Sequence, residues 1–369
     1  MHPKGEDGYH FKMPLVNPST GQILENKKVS CQDFYSYRFM ERKGRPNHWL
    51  QCQDLLNQFA TDQYAKCESE RTRWCRRNQK TLRVSEYQHL KDAVMREGLN
   101  PDEIGKATVL PSSFIGGPRY MNEKNQDGLC YVRNFGCADL FCTFTCNPRW
   151  TEIIEQLRPG QQPHHRQDII ARVFRLKAKR LQDLLTKDGA FGDVRCWMCT
   201  CEWQKRGLPH IHMLIWLKER IHLSDIDSTV AAELPDPNED PELFNIVRRN
   251  MVHGPCGPRF PNSKCMINGK CSKKYPRPLV KETQTGEDGY PTYRRRSVED
   301  GGHSFEMKIG GEIVTIDNRW IVPYNPTLSR IFDAHVNLEF CASVKSIKYI
   351  TKYITKAQLF MFEFEGQIV

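Results

Sequence analysis

Two histidines one residue apart, in Pro209-His-Ile-His212, are the residues of this sequence best suited to hold a divalent ion together. Side chains on a strand alternate faces with period two, so His210 and His212 share one face while Ile211 and Met213 pack on the other. Glu202 and Gln204 stand in the same relation on a preceding strand, and a hairpin turning at Gly207-Leu-Pro brings one of them beside the imidazoles. Two imidazoles and one oxygen donor leave coordination positions open to a substrate, which is what a catalytic ion requires. Lys205 and Arg206 stand at the rim, where an anion approaches.

A second set is Lys348-Tyr-Ile-Thr-Lys-Tyr-Ile-Thr-Lys356. On a helix Tyr349 and Tyr353 lie one turn apart on one face, and Lys348, Lys352 and Lys356 form an adjoining basic stripe. A phenol with a pKa of about 10 needs such cations before it can attack a phosphodiester. Core aromatics also take this spacing, but core tyrosines rarely come flanked by three lysines. In Phe141-Cys-Thr-Phe-Thr-Cys-Asn-Pro, a third set, Thr143, Thr145 and Asn147 share a polar strand face suited to phosphate or base edges. His253, Cys256, Cys265 and Cys271 form a fourth, four soft ligands in a stretch too polar to build a core, and structural zinc would explain how it folds. Cys196 and Cys199 face opposite ways on a strand and make no metal pair. His164 and His165 lie in a Pro-rich loop with no partner evident in the sequence. No G-x-x-x-x-G-K-S/T run occurs, so a phosphate-binding loop for ATP is excluded.

The elements that must position these residues follow from periodicity. The chain has 369 residues, 39% of them hydrophobic, which is enough for a core and argues against a wholly disordered polypeptide. Lys and Arg total 54 against 44 Asp and Glu, a net charge of +10 that favours an acidic partner such as nucleic acid. No apolar run is long enough to span a membrane, and the N-terminus lacks the apolar core of an export signal. The 15 cysteines are therefore read as reduced thiols, some of them metal ligands. Helices are expected within 31–98, around the basic run Arg71, Arg73, Arg76, Arg77, Lys80 and Arg83 with Trp74 inside it. Strands are expected at Cys130–Val132, Leu140–Cys146, Val194–Gln204, His210–Leu217, Glu312–Ile316 and Arg319–Val322. A helix over Gln167–Leu185 carries a basic outer face of Arg172, Arg175, Lys177, Lys179 and Arg180, and another is expected over Val344–Thr355. Residues 232–300 show little periodicity and read as an insertion. This gives a plan of 1–105, a basic helical region; 106–231, the first part of the main domain; 232–300, the insertion; and 301–369, its completion.

The sets F-x-T-F-T-x-N-P, E-W-Q-K-R-G-L-P-H-x-H and K-Y-x-x-K-Y together resemble the replication-initiator (Rep) domain of Helitron transposases, a member of the HUH endonuclease superfamily. Leu110-Pro-Ser-Ser-Phe-Ile-Gly-Gly-Pro-Arg-Tyr, His253-Gly-Pro-Cys-Gly, Cys271-Ser-Lys-Lys-Tyr-Pro and Asp317-Asn-Arg-Trp-Ile-Val-Pro-Tyr-Asn-Pro extend the likeness over nearly the whole chain. The resemblance implies an α+β fold, a central antiparallel sheet with flanking helices, joined by an N-terminal helical region and a zinc-like insertion. It implies that His210 and His212 hold Mg²⁺ or Mn²⁺ with Gln204 or Glu202 as third ligand. Tyr349 or Tyr353, assisted by Lys352, would then cleave single-stranded DNA through a 5′-phosphotyrosyl link. Thr143, Thr145, Asn147, Lys205, Arg206, Lys348 and Lys356 would contact that DNA, and the site of action would be the nucleus. The family commonly continues into a Pif1-type helicase, so the resemblance implies a chain truncated before that domain. A nucleic-acid-binding remnant without catalysis is the alternative reading of the same motifs.

Overall fold

The computed structural model describes residues 5–83, 108–204, 207–285 and 291–341. Its contacts divide into two compact units. Among the described residues, one is built from the chain up to Lys124 with Leu157–Asp168, the other from Asn125–Gln156 with Ile169 to Cys341.

In the first unit, β1 (Pro14–Val16) and β2 (Ile23–Lys28) form an antiparallel pair. The helical stretch expected from residue 31 is broken into Cys31–Phe39, Asp54–Arg77 and Gln79–Arg83. Ser30 starts the first by accepting from the Asp33 amide. Between the first two, Asn47 caps a single 3-10 turn, His48–Gln51. Cys31, Tyr35, Trp49, Leu50 and Leu56 form the core of this unit. The helix expected near Tyr87–Met95 lies outside the described residues.

The second unit is organised by a four-stranded antiparallel sheet of β3 (Leu140–Thr145), β4 (Val194–Trp203), β5 (Pro209–Leu217) and β12 (Val336–Phe340), in the order β12-β3-β5-β4. The fold is thus α+β. One sheet face is apolar, with Phe144, Cys142, Ile211 and Met213 all buried. The Gln167–Thr186 helix covers it, and Phe174 stacks on Phe144 at 5.3 Å. Trp150 and Phe332 close round the same ring. The other face is apolar at one end only, where Phe141, Leu214 and Trp216 meet Tyr131 and Val132. Those two residues belong to the Pro118–Phe135 helix, so the strand expected at Cys130–Val132 is helical. Local β-preference is overridden there by packing against Trp216 and by a proline in first position, which is pre-set for a helix.

Among the described residues, the other strands form four two-stranded antiparallel pairs. They are β6 (Met266–Ile267) with β7 (Lys270–Cys271), β8 (Gln284–Thr285) with β9 (Pro291–Thr292), and β10 (Ser304–Ile309) with β11 (Glu312–Asp317), the remaining pair being β1 and β2. The strand expected at Arg319–Val322 is instead a 3-10 turn, Asn318–Trp320, because the Asp317 carboxylate captures the Arg319 amide. Within the stretch read as aperiodic, Pro241–Asn250 is a helix capped by Asp240, burying Leu243, Phe244, Ile246 and Val247. Its ten residues are too few to stand out among the prolines and charges before it.

Arg295 fastens this region, its buried guanidinium donating to the carbonyls of Ala232, Asn318 and Ile321. Beside it Glu233 accepts from Arg294 and Arg296. Burial alone would raise the Glu233 carboxyl, but the Arg296 side chain and amide hold it below its ordinary value. A carboxyl depressed in the folded state stabilises above its unfolded pKa of about 4.3, and that contribution disappears as pH falls through the folded value. Glu233→Ala is expected to cost about 2 kcal/mol at pH 7, allowing for the partial exposure of both arginines. Urea unfolding should show the gap between variant and parent closing below about pH 4; a gap independent of pH would contradict this.

Candidate functional site

Strand pairing decides which side chains meet. In β4 and β5 Glu202 is opposite His210 and Thr200 opposite His212. On the other side of β5, Thr145 is opposite His210 and Thr143 opposite His212. Directly opposed residues of antiparallel strands point to one face, so two rows of polar side chains cross the sheet together. β12 lengthens both: Asn337 faces Thr143, and His335, whose carbonyl accepts the Thr145 amide, continues the row of His210 and Glu202.

One ligand atom from each of Glu202, His210 and His212 lies within 4.8 Å of the others. Glu202 Oε2 is 3.4 Å from His210 Nε2, and the two imidazole rings are 4.7 Å apart and nearly perpendicular. Thr143 Oγ1 is 2.9 Å from His212 Nδ1, and Phe141 stacks on the same ring at 5.6 Å. In the tautomer that donates from Nδ1 to Thr143, Nε2 carries the lone pair a metal needs. Glu202 Oε1, Thr200 Oγ1, His210 Nδ1 and His335 Nδ1 are buried and make no hydrogen bond among the described residues. Buried polar atoms normally find partners, so this concentration on one patch marks a place built for a ligand. A carboxylate with two imidazoles suits a divalent cation. If Thr143 orients His212, then Thr143→Val is expected to weaken Mn²⁺ binding about tenfold by calorimetry. An unchanged affinity would show that the ring is held by Phe141 alone.

The other sequence-derived residues are placed as follows. Gln204 is exposed, one residue past the end of β4; its amide donates to Leu208 and its carbonyl accepts from Gly207, closing the turn. Thr145 faces His210, whereas Asn147 leaves the sheet, donating to the Asp333 carbonyl and accepting from the Arg149 amide. Lys205, Arg206, Lys348, Tyr349, Lys352, Tyr353 and Lys356 lie outside the described residues. His335 was missed by sequence reasoning. The signal was available in the alternation of His335-Val-Asn-Leu-Glu339, but its pairing with β3 is far from local. Burial, reinforced by the nearby His210, pushes the pKa of His335 down to about 4, so it is neutral at physiological pH.

A second cluster is formed by His253, Cys256, Cys265 and Cys271, whose ligand atoms also lie within 4.8 Å of one another. Asn268 and Gly269, both at positive φ, turn the β6–β7 hairpin and bring Cys265 and Cys271 to its open end. The amide of Lys273 points at Cys271 Sγ from 3.4 Å. Despite burial, this contact and the Tyr275 amide hold the Cys271 thiol below its ordinary value. The His253 ring is stacked on Tyr275 at 4.2 Å, and burial together with Lys273 and Arg277 favours its neutral form. This is a cluster able to bind a metal. A third group, Asp54 with His164 and His165, gives the two histidines a partner that their sequence context does not reveal, although Asp54 and His164 are exposed.

Among the described residues no helix is long and apolar enough to cross a membrane. No curated protein matches the chain. Residues 34–215 match the family model described as the Helitron helicase-like domain at the N-terminus. The match takes in β3, β4 and all but the end of β5, and with them Thr143, Glu202, His210 and His212. Residues 34–215 of this chain are thus Helitron-like, which suggests a function related to that of Helitron transposases.

Proposed function

We propose that the chain nicks single-stranded DNA and transfers the strand through a 5′-phosphotyrosyl intermediate, as a Helitron-like Rep domain of the HUH type. The observation that carries the reading is the meeting of Glu202, His210 and His212 on one sheet face, within a domain matched to the Helitron family. When bound there, a divalent cation would polarise the scissile phosphodiester. Two imidazoles favour Mn²⁺ over Mg²⁺, since nitrogen donors suit the softer ion. Thr143 orients His212, and Glu202 offsets the cation's charge. The nucleophile is Tyr349 or Tyr353. As its Oη–P bond forms, the P–O3′ bond breaks. The phenol proton leaves to solvent and the departing O3′ takes one up, leaving a 3′-hydroxyl and a 5′-phosphate on tyrosine. A second attack, by the other tyrosine or by a 3′-hydroxyl, supplies strand transfer.

The Cys/His cluster has the donor set of structural zinc. With Zn–S of about 2.3 Å and Zn–N of about 2.0 Å, a tetrahedral ion would separate its donors by about 3.5–3.8 Å. His253 Nε2 lies 3.5 Å from Cys271 Sγ and 3.8 Å from Cys256 Sγ, which fits. Four protein donors fill the tetrahedron, so this ion would hold the insertion together rather than react.

The test is to incubate the purified chain with Mn²⁺ and a labelled single-stranded oligonucleotide, then look for a covalent adduct under denaturing conditions. The parent should form it and Tyr349→Phe/Tyr353→Phe should not. An adduct that persists in the double variant would refute tyrosine attack.

A further inference from the structure

We infer that a pocket on the Asp54–Arg77 helix binds one unpaired base of a single-stranded nucleic acid, with the Trp74 indole as its stacking surface. The pocket has a volume of about 140 Å³ and is lined by Arg71, Trp74, Cys75, Pro111, Ser113 and Phe114. Trp74 is 55% exposed, whereas tryptophan is on average a highly buried residue. A large flat ring left open to solvent at the edge of a pocket is a platform for another flat ring.

The pocket is held ready by hydrogen bonds. Gln79 donates to the carbonyls of Cys75 and Val109 and accepts from the Val109 amide, clipping the loop that carries Pro111, Ser113 and Phe114 onto the helix. A tight turn then sets Phe114, whose amide donates to Pro111 and whose carbonyl accepts from Gly117. A Cβ at Gly117 would lie 3.0 Å from that carbonyl, so the turn favours glycine there. Preorganised walls reduce the ordering cost of binding.

Charge selects the occupant. Arg73, Arg76 and Arg77 are exposed at i, i+3 and i+4, a stripe beside Trp74. Arg71 lies over the Phe114 ring at 6.0 Å and pairs with Glu68 at 3.3 Å. Arg73 lies over Phe11. Glu70 on the same helix offsets part of this charge. A cationic stripe that follows phosphates, next to an aromatic ring that takes bases, is the arrangement by which single strands are bound without sequence preference. The exposed Ser113 hydroxyl at the rim can bond a base edge. The inference rests on the DNA-nicking reading only for its choice of ligand, because every residue named belongs to the first unit.

The test uses the whole chain and a fluorescein-labelled oligodeoxythymidylate, with binding read by anisotropy across a salt series. Trp74→Ala should bind about tenfold more weakly with an unchanged salt slope, and Trp74→Phe should recover most of the loss. Arg76→Ala/Arg77→Ala should flatten the slope by about 1.4 units. Because Trp74 is exposed, the Trp74→Ala protein should melt with the parent. Binding by Trp74→Ala within about twofold of the parent, or no binding by the parent, overturns the inference. The two readings part cleanly. If the parent forms no adduct with Mn²⁺ and Trp74→Ala still weakens binding, the pocket stands and the nicking chemistry falls. If adducts form and Trp74→Ala binds normally, the reverse holds.

Discussion

His210→Ala/His212→Ala is expected to lower adduct formation with Mn²⁺ by at least about 10³-fold, roughly 4 kcal/mol of transition-state stabilisation. Both nitrogen donors of the sheet-face site go, and Glu202 alone retains a divalent ion weakly. The variant should still bind single-stranded DNA, since no arginine or lysine is touched. His212 is nearly buried, so a melting curve must accompany the assay. Glu202→Gln gives a milder second variant that keeps shape while removing the charge. Undiminished adduct in the folded double variant would remove metal chemistry from this face and favour a nucleic-acid-binding role without catalysis.

The next largest effect is expected at the Cys/His cluster. Cys271→Ser should abolish one bound zinc per chain, read by mass spectrometry under native conditions, and should open residues 253–280 to protease. Structural zinc contributes on the order of 10 kcal/mol of apparent binding energy in small domains, and with zinc bound here much of the order in this stretch would depend on it. The stretch has little else: β6 and β7 are two residues each, and Ile267 is 61% exposed. A strong chelator should reproduce the protease pattern in the parent. Cys130→Ser, at an exposed cysteine outside the cluster, should do neither. A metal-free parent with the same protease resistance would show that Arg295 and its carbonyls suffice.

How much could be read from the sequence depended on how local the determining contacts are. β3, β4 and β5 match their expected spans to within a residue or so, because alternation is written residue by residue in Phe141-Cys-Thr-Phe-Thr and His210-Ile-His-Met. That Glu202 or Gln204 would come beside the histidines was legible for the same reason, since a short turn at Gly207 joins their strands; the register of β4 on β5 sets Glu202 opposite His210. His335 was not legible, because it reaches the site only through the pairing of β12 with β3. The Pro118–Phe135 helix was misread at Cys130–Val132, where three β-prone residues give the wrong local signal and Trp216 decides the outcome. Asp54 and the His164-His165 pair meet only by tertiary contact. The clustering of His253, Cys256, Cys265 and Cys271 was legible from residue type and spacing, whereas the helix of the insertion was hidden by brevity.

The double pairing of β5 decides which kinds of sequence change the strand can absorb. Around the histidines both neighbours of β5 hold one register, β4 from Cys196 to Trp203 and β3 throughout, with histidines on one side of the strand and Ile211, Met213 and Ile215 on the other. Losing one codon from Ile211 to Met213 would turn the remaining half of the strand over, setting apolar residues where ligands stood and polar ones in the core. A point substitution at the site leaves that register unchanged. A single-codon deletion there should remove site and fold together, so folded variants of this chain should tolerate substitutions in β5 and keep the strand's length.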